Sequence, residues 1–222
     1  MKSIKELLVN IKQLLLKQSC ALCKQSSNCL VCDYCFKDLE KQLSFNKDQI
    51  ILDDEYDYYH LFNYSKEIQL LLKKLKFNKD VLVISIFETL IYKWWEDSAK
   101  EYLNEVDEII VVPIHRFRYL YRGFNQSELL ANKLADCINI EPNFKACKRK
   151  KYTKAQAKSS KKDREMQIKN VFELTQSIKS KHLVVFDDVF TTGSTLKELI
   201  KTVKLSGDIK KISIVALVKA GL

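Results

Sequence analysis

The chain has 222 residues, 46% of them hydrophobic and 30% charged, enough to enclose one medium-sized core and carry a small appendage. Its 4 glycines and 2 prolines fall far below the roughly 16 and 11 of average usage, which excludes collagen-like, elastic and Pro/Gly-linker architectures. The formal charge is +10, and residues 145–164 hold ten cations (Lys145, Lys148, Arg149, Lys150, Lys151, Lys154, Lys158, Lys161, Lys162, Arg164) against one acid, Asp163, or +9 of that total. The basicity is therefore a local device aimed at something anionic.

In chain order, Ile4, Leu7, Leu8, Ile11, Leu14 and Leu15 recur at helical spacing and predict an amphipathic helix over residues 1–18. Lysines and Glu6 interrupt it, so it lacks the apolar core of a signal peptide. Five of the seven cysteines fall between positions 20 and 35, which defines a small module over residues 19–45. An acidic connection follows over residues 37–59, with Asp53, Asp54, Glu55 and Asp57. Helices are predicted over 66–77 and 80–102. The longest apolar stretch, 81–92, contains Ser85, Glu88 and Thr89 and is short of the roughly 20 residues of a membrane span. The expected compartment is the cytoplasm, where clustered cysteines read as metal ligands before disulfides.

From Glu108 onward, short apolar runs alternate with helical stretches, as parallel strands joined by crossover helices require. Strands are predicted at 109–112, 171–174, 183–186 and 212–218, and helices at 126–137 and 194–205. Gly207 is placed to cap the last helix in a left-handed conformation. The α/β region is taken as 60–222, a doubly wound sheet whose ligands sit beyond the carboxyl ends of its strands.

Within it, Val184-Val185-Phe186 leads into Asp187-Asp188, then Val189-Phe190 and the loop Thr191, Thr192, Gly193, Ser194, Thr195 at the start of a helix. Small hydroxyl residues around a glycine at a helix N-terminus offer N–H and O–H donors to a dianionic phosphate. Two adjacent carboxylates at the strand end can accept hydrogen bonds from vicinal ribose hydroxyls or help hold Mg²⁺ through water. Residues 113–126 form a second constellation. After the strand at 109–112 they are read as a loop carrying Arg116, Arg118 and Arg122, whose planar forks suit pyrophosphate oxygens. His115 lies in this loop, with no proton-transfer role assigned to it.

The 184–195 segment resembles the 5-phosphoribosyl-1-pyrophosphate (PRPP) motif of type I phosphoribosyltransferases, and the Arg-Gly-Phe-Asn-Gln string at 122–126 resembles the signature of ComF-type competence proteins within that superfamily. Arg149, Lys151, Thr153, Gln156, Arg164 and Phe172 match a third ComF pattern, in which Gln167 departs from the family's Asn, and Tyr64 with Lys76-Phe77 matches its middle helix. The resemblance implies a type I phosphoribosyltransferase fold, ribose contacts from Asp187 and Asp188, and a 5′-phosphate loop at 191–195. It also implies anion binding by Arg118, Arg122, Arg149, Lys151 and Arg164, with Mg²⁺ accompanying PRPP. The basic segment suits either of two tasks: closing over a departing pyrophosphate, or gripping the phosphates of single-stranded DNA.

Cys20-x-x-Cys23 and Cys32-x-x-Cys35 fit four-thiolate Zn²⁺ coordination, although Cys29-x-x-Cys32 is an equally valid knuckle and Fe–S or dithiol chemistry has the same ingredients. The ComF resemblance selects Cys20, Cys23, Cys32 and Cys35 as a structural, partner-presenting zinc finger. Two functions follow from these matches. One is a ComF-type factor of natural transformation that binds PRPP/Mg²⁺ and single-stranded DNA and contacts competence-machinery proteins through its N-terminal module. The other is an active phosphoribosyltransferase of nucleotide metabolism, for which the sequence shows no acceptor pocket.

Overall fold

The structure, a computed structural model, describes residues 18–78, 80–152, 166–207 and 209–220. Strand β1 (Gln18–Ser19) pairs antiparallel with β2 (Ser26–Ser27), and helix α1 (Asp33–Lys41) follows with Cys32 as its N-cap residue. The helix expected over 1–18 lies outside the described residues except for Gln18, which belongs to β1. Cys20, Ala21, Val31, Cys35 and Leu39 join the same buried cluster as the helices that follow, so the cysteine module is packed onto the rest of the chain. The Trp94 indole N–H, donating to the Ser44 carbonyl at 2.9 Å, ties the two together.

Strands β3 (Lys47–Ile51) and β4 (Glu55–Asn63) form a hairpin, with Gln49 opposite Asp57. This corrects the reading of residues 37–59 as a connection. Of the acids that suggested a linker, Asp53 and Asp54 occupy the hairpin turn and Glu55 and Asp57 the start of β4, which buries Tyr56, Tyr58, Tyr59, His60, Leu61 and Phe62. A strand buried on both faces shows no period-two alternation to betray it.

Helix α2 (Lys66–Asn78) and helix α3 (Val81–Trp94) follow, the second started by Asp80, whose carboxylate accepts from the Leu82 N–H at 3.2 Å. A single π-turn (Trp95–Ala99) leads into α4 (Lys100–Leu103), so the helix expected over 80–102 is present with one widened turn. Next come β5 (Glu108–Val111), α5 (Arg116–Arg122), α6 (Gln126–Ile138), β6 (Cys147–Arg149), β7 (Phe172–Leu174) and β8 (His182–Phe190). Helix α7 (Ser194–Val203), a 3₁₀ turn (Lys204–Ser206) closed by Gly207 at φ 88°, and β9 (Lys211–Lys219) complete the described chain.

The main sheet has the order β3-β4-β9-β8-β5, with β4, β9, β8 and β5 mutually parallel and β3 antiparallel at the edge. Interior strand β8, between β9 and β5, sets Val185 between Ile110 and Ile214. Its Val184 and Phe186 face one core with α2, α3 and α6, and Leu183 and Val185 face the other with α7. Helices cover both faces, which is the expected parallel α/β architecture, and each wholly buried Leu or Phe contributes roughly 1.5–3 kcal/mol. The expected strand at 171–174 is present as β7. It pairs with the unanticipated β6 in a separate antiparallel ribbon, Cys147 opposite Leu174, from which the basic segment extends.

The arginine loop is also corrected, because Arg116–Arg122 is helical. The His115 Nδ1 caps it by accepting from the Phe117 N–H at 3.3 Å, and Gly123 ends it at φ 84° with its N–H bonded to the Tyr119 carbonyl at 2.7 Å. None of its side chains is buried, so hydrophobic periodicity could not reveal it.

Candidate functional site

The carboxyl end of β8 places two carboxylates side by side. The Asp187 Oδ1 accepts from the Asp188 N–H at 2.9 Å and from the Ser127 hydroxyl, at the start of α6, at 3.5 Å. Burial raises the Asp187 carboxyl well above the ordinary carboxylate range and the adjacent Asp188 carboxyl adds to it, while the Asp188 N–H and Lys76 oppose the shift. The Lys76 Nζ, from α2, lies 2.5 Å from the Asp188 Oδ2. Asp187 thus holds its proton more tightly than a free carboxyl, and a diol or hydrated divalent cation beside it would favour its ionised form.

Beyond the acids, Gly193 adopts φ 72° at the N-cap of α7, where a Cβ would come within 2.6 Å of the Leu52 Cδ2 in the β3–β4 turn. Only glycine suits both the backbone angle and the space. The Thr192 and Ser194 hydroxyls lie 2.9 Å apart across this turn, at the positive end of a ten-residue helix. Thr191, Thr192, Gly193, Ser194 and Thr195 thus lead from β8 into α7, with hydroxyl groups gathered at the positive end of the helix dipole.

Two guanidiniums face the acids. Burial lowers Arg122 and the nearby Arg118 adds to this, while Asp188 opposes it; the Arg122 Nη1 donates to Gln126 at 3.0 Å. Arg149, at the end of β6, is pushed down to about 10 by burial first and Arg118 second, with Asp187 opposing. Like-charged guanidiniums held together and partly desolvated favour a multiply charged anion between them. Arg118, whose guanidinium also lies 5.7 Å from the Tyr152 ring centroid, completes the group. Lys151 is exposed, its Nζ donating to the Lys169 carbonyl at 3.5 Å. Arg164 lies outside the described residues.

Two contributors escaped sequence reasoning as site residues. Lys76 stood only as part of a helix match, and Ser127 carried no motif. Only the meeting of α2 and α6 with the β8 end reveals them.

In the cysteine module, the Sγ atoms of Cys20, Cys23, Cys32 and Cys35 all lie within 4.8 Å of one another, and those of Cys23 and Cys32 are 3.7 Å apart. Tetrahedral Zn–S bonds of about 2.3 Å set sulfurs ~3.8 Å apart, so this donor set fits zinc. Burial alone would raise the Cys20 thiol, but N–H groups of Cys32, Cys23 and Leu22 outweigh it and bring it down to about 6. Burial and the neighbouring thiols push Cys35 up to about 12. Exposed Cys29 is outside the group, its N–H bonded to the Ser27 hydroxyl at 3.1 Å.

Residues 96–221 match the phosphoribosyl transferase domain, and the chain belongs to that family. Within it, this is a ComF-type member, as its relatives show. Competence protein F of Haemophilus influenzae is 31% identical over 162 residues, which span 71% of this chain and 70% of that protein. A DNA utilization protein, YhgH, of Escherichia coli O157:H7 is 32% identical over 146 residues, or 65% of this chain and 64% of that one. Competence protein ComFC of Streptococcus pneumoniae is 28% identical over 162 residues, covering 70% and 66% of the two chains. Among the described residues, no helix is long and apolar enough to cross a membrane.

Proposed function

We propose that this chain is a ComF-type DNA-uptake factor whose phosphoribosyltransferase-type site binds PRPP with Mg²⁺, and whose basic segment holds single-stranded DNA in the cytoplasm. The juxtaposition at the end of β8 carries this reading: an acid pair, a glycine phosphate loop and two partly buried guanidiniums, set together by four separate elements. Asp187 and Asp188 receive the ribose hydroxyls, 191–195 the 5′-phosphate, and Arg118, Arg122 and Arg149 the pyrophosphate, with Lys151 and Arg164 supplying charge from the adjoining segment. The names of the relatives, competence and DNA utilization proteins, support the role in DNA uptake. Zinc held by Cys20, Cys23, Cys32 and Cys35 keeps the N-terminal module in shape to meet other competence proteins.

Isothermal titration with PRPP and Mg²⁺, with and without a short single-stranded oligonucleotide, tests the reading. PRPP binding that Asp187→Ala plus Asp188→Ala abolishes is expected. No PRPP binding to the parent protein refutes the ligand assignment.

A second reading rests on the guanidiniums of Arg122 and Arg149, each beside Arg118 and one of the two aspartates. In a phosphoribosyl transfer the C1′–O bond breaks, pyrophosphate leaves with the electron pair and the acceptor's lone pair bonds to C1′. Those cations would neutralise the leaving group. Pyrophosphate release with a nucleobase acceptor, lost in the double aspartate variant, would establish it.

A further inference from the structure

We propose that the face made by α5 and the end of β6 is a base-stacking platform for single-stranded DNA. The inference rests on the DNA-binding reading above and says where the bases go. Helix α5 buries none of its side chains; Phe117 is 55%, Leu120 76% and Tyr121 82% exposed. So much apolar and aromatic surface on one short element marks a contact surface.

The rings pack against one another. Buried His115 lies 5.1 Å from Phe117 and 5.4 Å from Tyr152 between centroids, and Phe117 meets Tyr152 edge-on at 6.3 Å. The Arg116 guanidinium sits 5.1 Å from the centre of Phe117 and that of Arg118 5.7 Å from Tyr152. His115, Arg116, Phe117 and Tyr152 border a cavity of about 700 Å³ that Tyr119, Glu128, Phe144 and Arg149 also help to line. That volume is within the roughly 300–1,000 Å³ of ligand clefts, and pre-set rings spare the entropy of ordering them on binding.

Rings interleaved with cations match a single strand, whose bases stack while its phosphates pair with charge. Lys150 and Lys148 line the same cavity, the latter paired with Glu173 at 3.1 Å. Arg149, between cavity and acid pair, links the platform to the candidate PRPP site. An apolar protein partner would strip water from the exposed Arg116 guanidinium without offering it countercharge. Residues 1–17, with four lysines and one glutamate, would bring like charge to a cationic face. Tyr152 also leads directly into Lys154, Lys158, Lys161 and Lys162, so stacked bases and the basic segment are adjacent along the chain.

The test is fluorescence polarisation at about 100 mM salt with a labelled oligothymidylate of about ten nucleotides, an abasic strand of equal length, and anionic phospholipid vesicles in a parallel flotation assay. Phe117→Ala with Tyr152→Ala should weaken oligothymidylate binding by about tenfold or more and leave abasic-strand affinity unchanged. Lys158→Ala with Lys161→Ala and Lys162→Ala should weaken both strands. Phe117→Trp, which keeps the ring, should bind normally and lose fluorescence as thymine stacks on it, a readout independent of folding in the alanine variant. If the parent protein binds no single strand, the DNA-binding reading and the platform both fall. If it binds and the alanine variant binds equally, or loses only the vesicles, the platform alone is overturned.

Discussion

The Lys76 ammonium and the Asp188 carboxylate lie 2.5 Å apart, pinning helix α2 to the carboxyl end of β8 in the candidate nucleotide site. Their side chains are 24% and 16% exposed, so the contact is sheltered without being sealed. The ion pair supplies a counter-charge to the acid pair while no ligand is present, and a ligand reaching Asp188 must compete with Lys76 for it.

Replacing Lys76 by methionine removes that counter-charge. With the ammonium gone, the Asp187 carboxyl, which Lys76 holds down, rises further above its ordinary range, and a partly buried Asp188 loses its partner. Lys76→Met is expected to cost about 1–3 kcal/mol at pH 8, and less near pH 5, where the raised Asp187 carboxyl is more fully protonated. Urea unfolding at the two pH values measures the difference.

Asp187 itself carries a stability cost. Between the ordinary carboxylate range and its raised native value, the folded chain retains a proton that the unfolded chain has released. Stability therefore falls as pH rises through that window, and the full cost remains above it. Asp187→Asn keeps an oxygen for the Asp188 N–H and should stabilise the free protein at neutral pH by roughly 1 kcal/mol, or about 2–4 °C in Tm. The gain should vanish below about pH 4. PRPP affinity should be lost in the same variant, separating ligand binding from stability in one pair of melting and titration experiments.

Gly193→Ala meets two obstacles, a left-handed backbone and the Leu52 side chain 2.6 Å from the new Cβ. The expected loss is about 1–3 kcal/mol of stability, together with PRPP binding, because relief requires moving the β3–β4 turn or the phosphate loop. Thermal melting and titration read the two effects. Gly123→Ala, in a left-handed cap with nothing within 4 Å of its Cβ, should cost about 1 kcal/mol and leave the 191–195 loop intact.

For the cysteine module, Cys32→Ser should abolish zinc retention, whereas Cys29→Ser should keep it at the parent stoichiometry by elemental analysis. Because Cys20 and Cys35 belong to the core that α2 and α3 also fill, chelation should lower the melting temperature of the whole chain. Calorimetry with and without chelator checks this coupling; a separate low-temperature transition would show that the module melts alone.

Local chemistry made much of this legible beforehand. Strand β8, the acid pair, the glycine loop and the helix after it are contiguous, and each advertises itself by residue type within a dozen positions. The four cysteines were equally plain, up to the choice between Cys29 and its neighbours. Strand β4 escaped because burial on both faces removes alternation, and α5 escaped because, with no buried face, only its capping residues mark it.

What the sequence by itself determined, then, is the chemistry of the segments: a glycine turn rich in hydroxyls, paired acids, a cluster of five cysteines and +9 of charge in one stretch. The tertiary structure decided who meets whom. Lys76 reaches Asp188, Ser127 reaches Asp187, Leu52 closes on Gly193, and His115 gathers Phe117 and Tyr152. Each of these contacts but His115–Phe117 joins elements far apart in the chain. They exist only because a parallel sheet with crossover helices brings its strand ends and helix starts to one edge, a convergence that no local pattern of residues encodes.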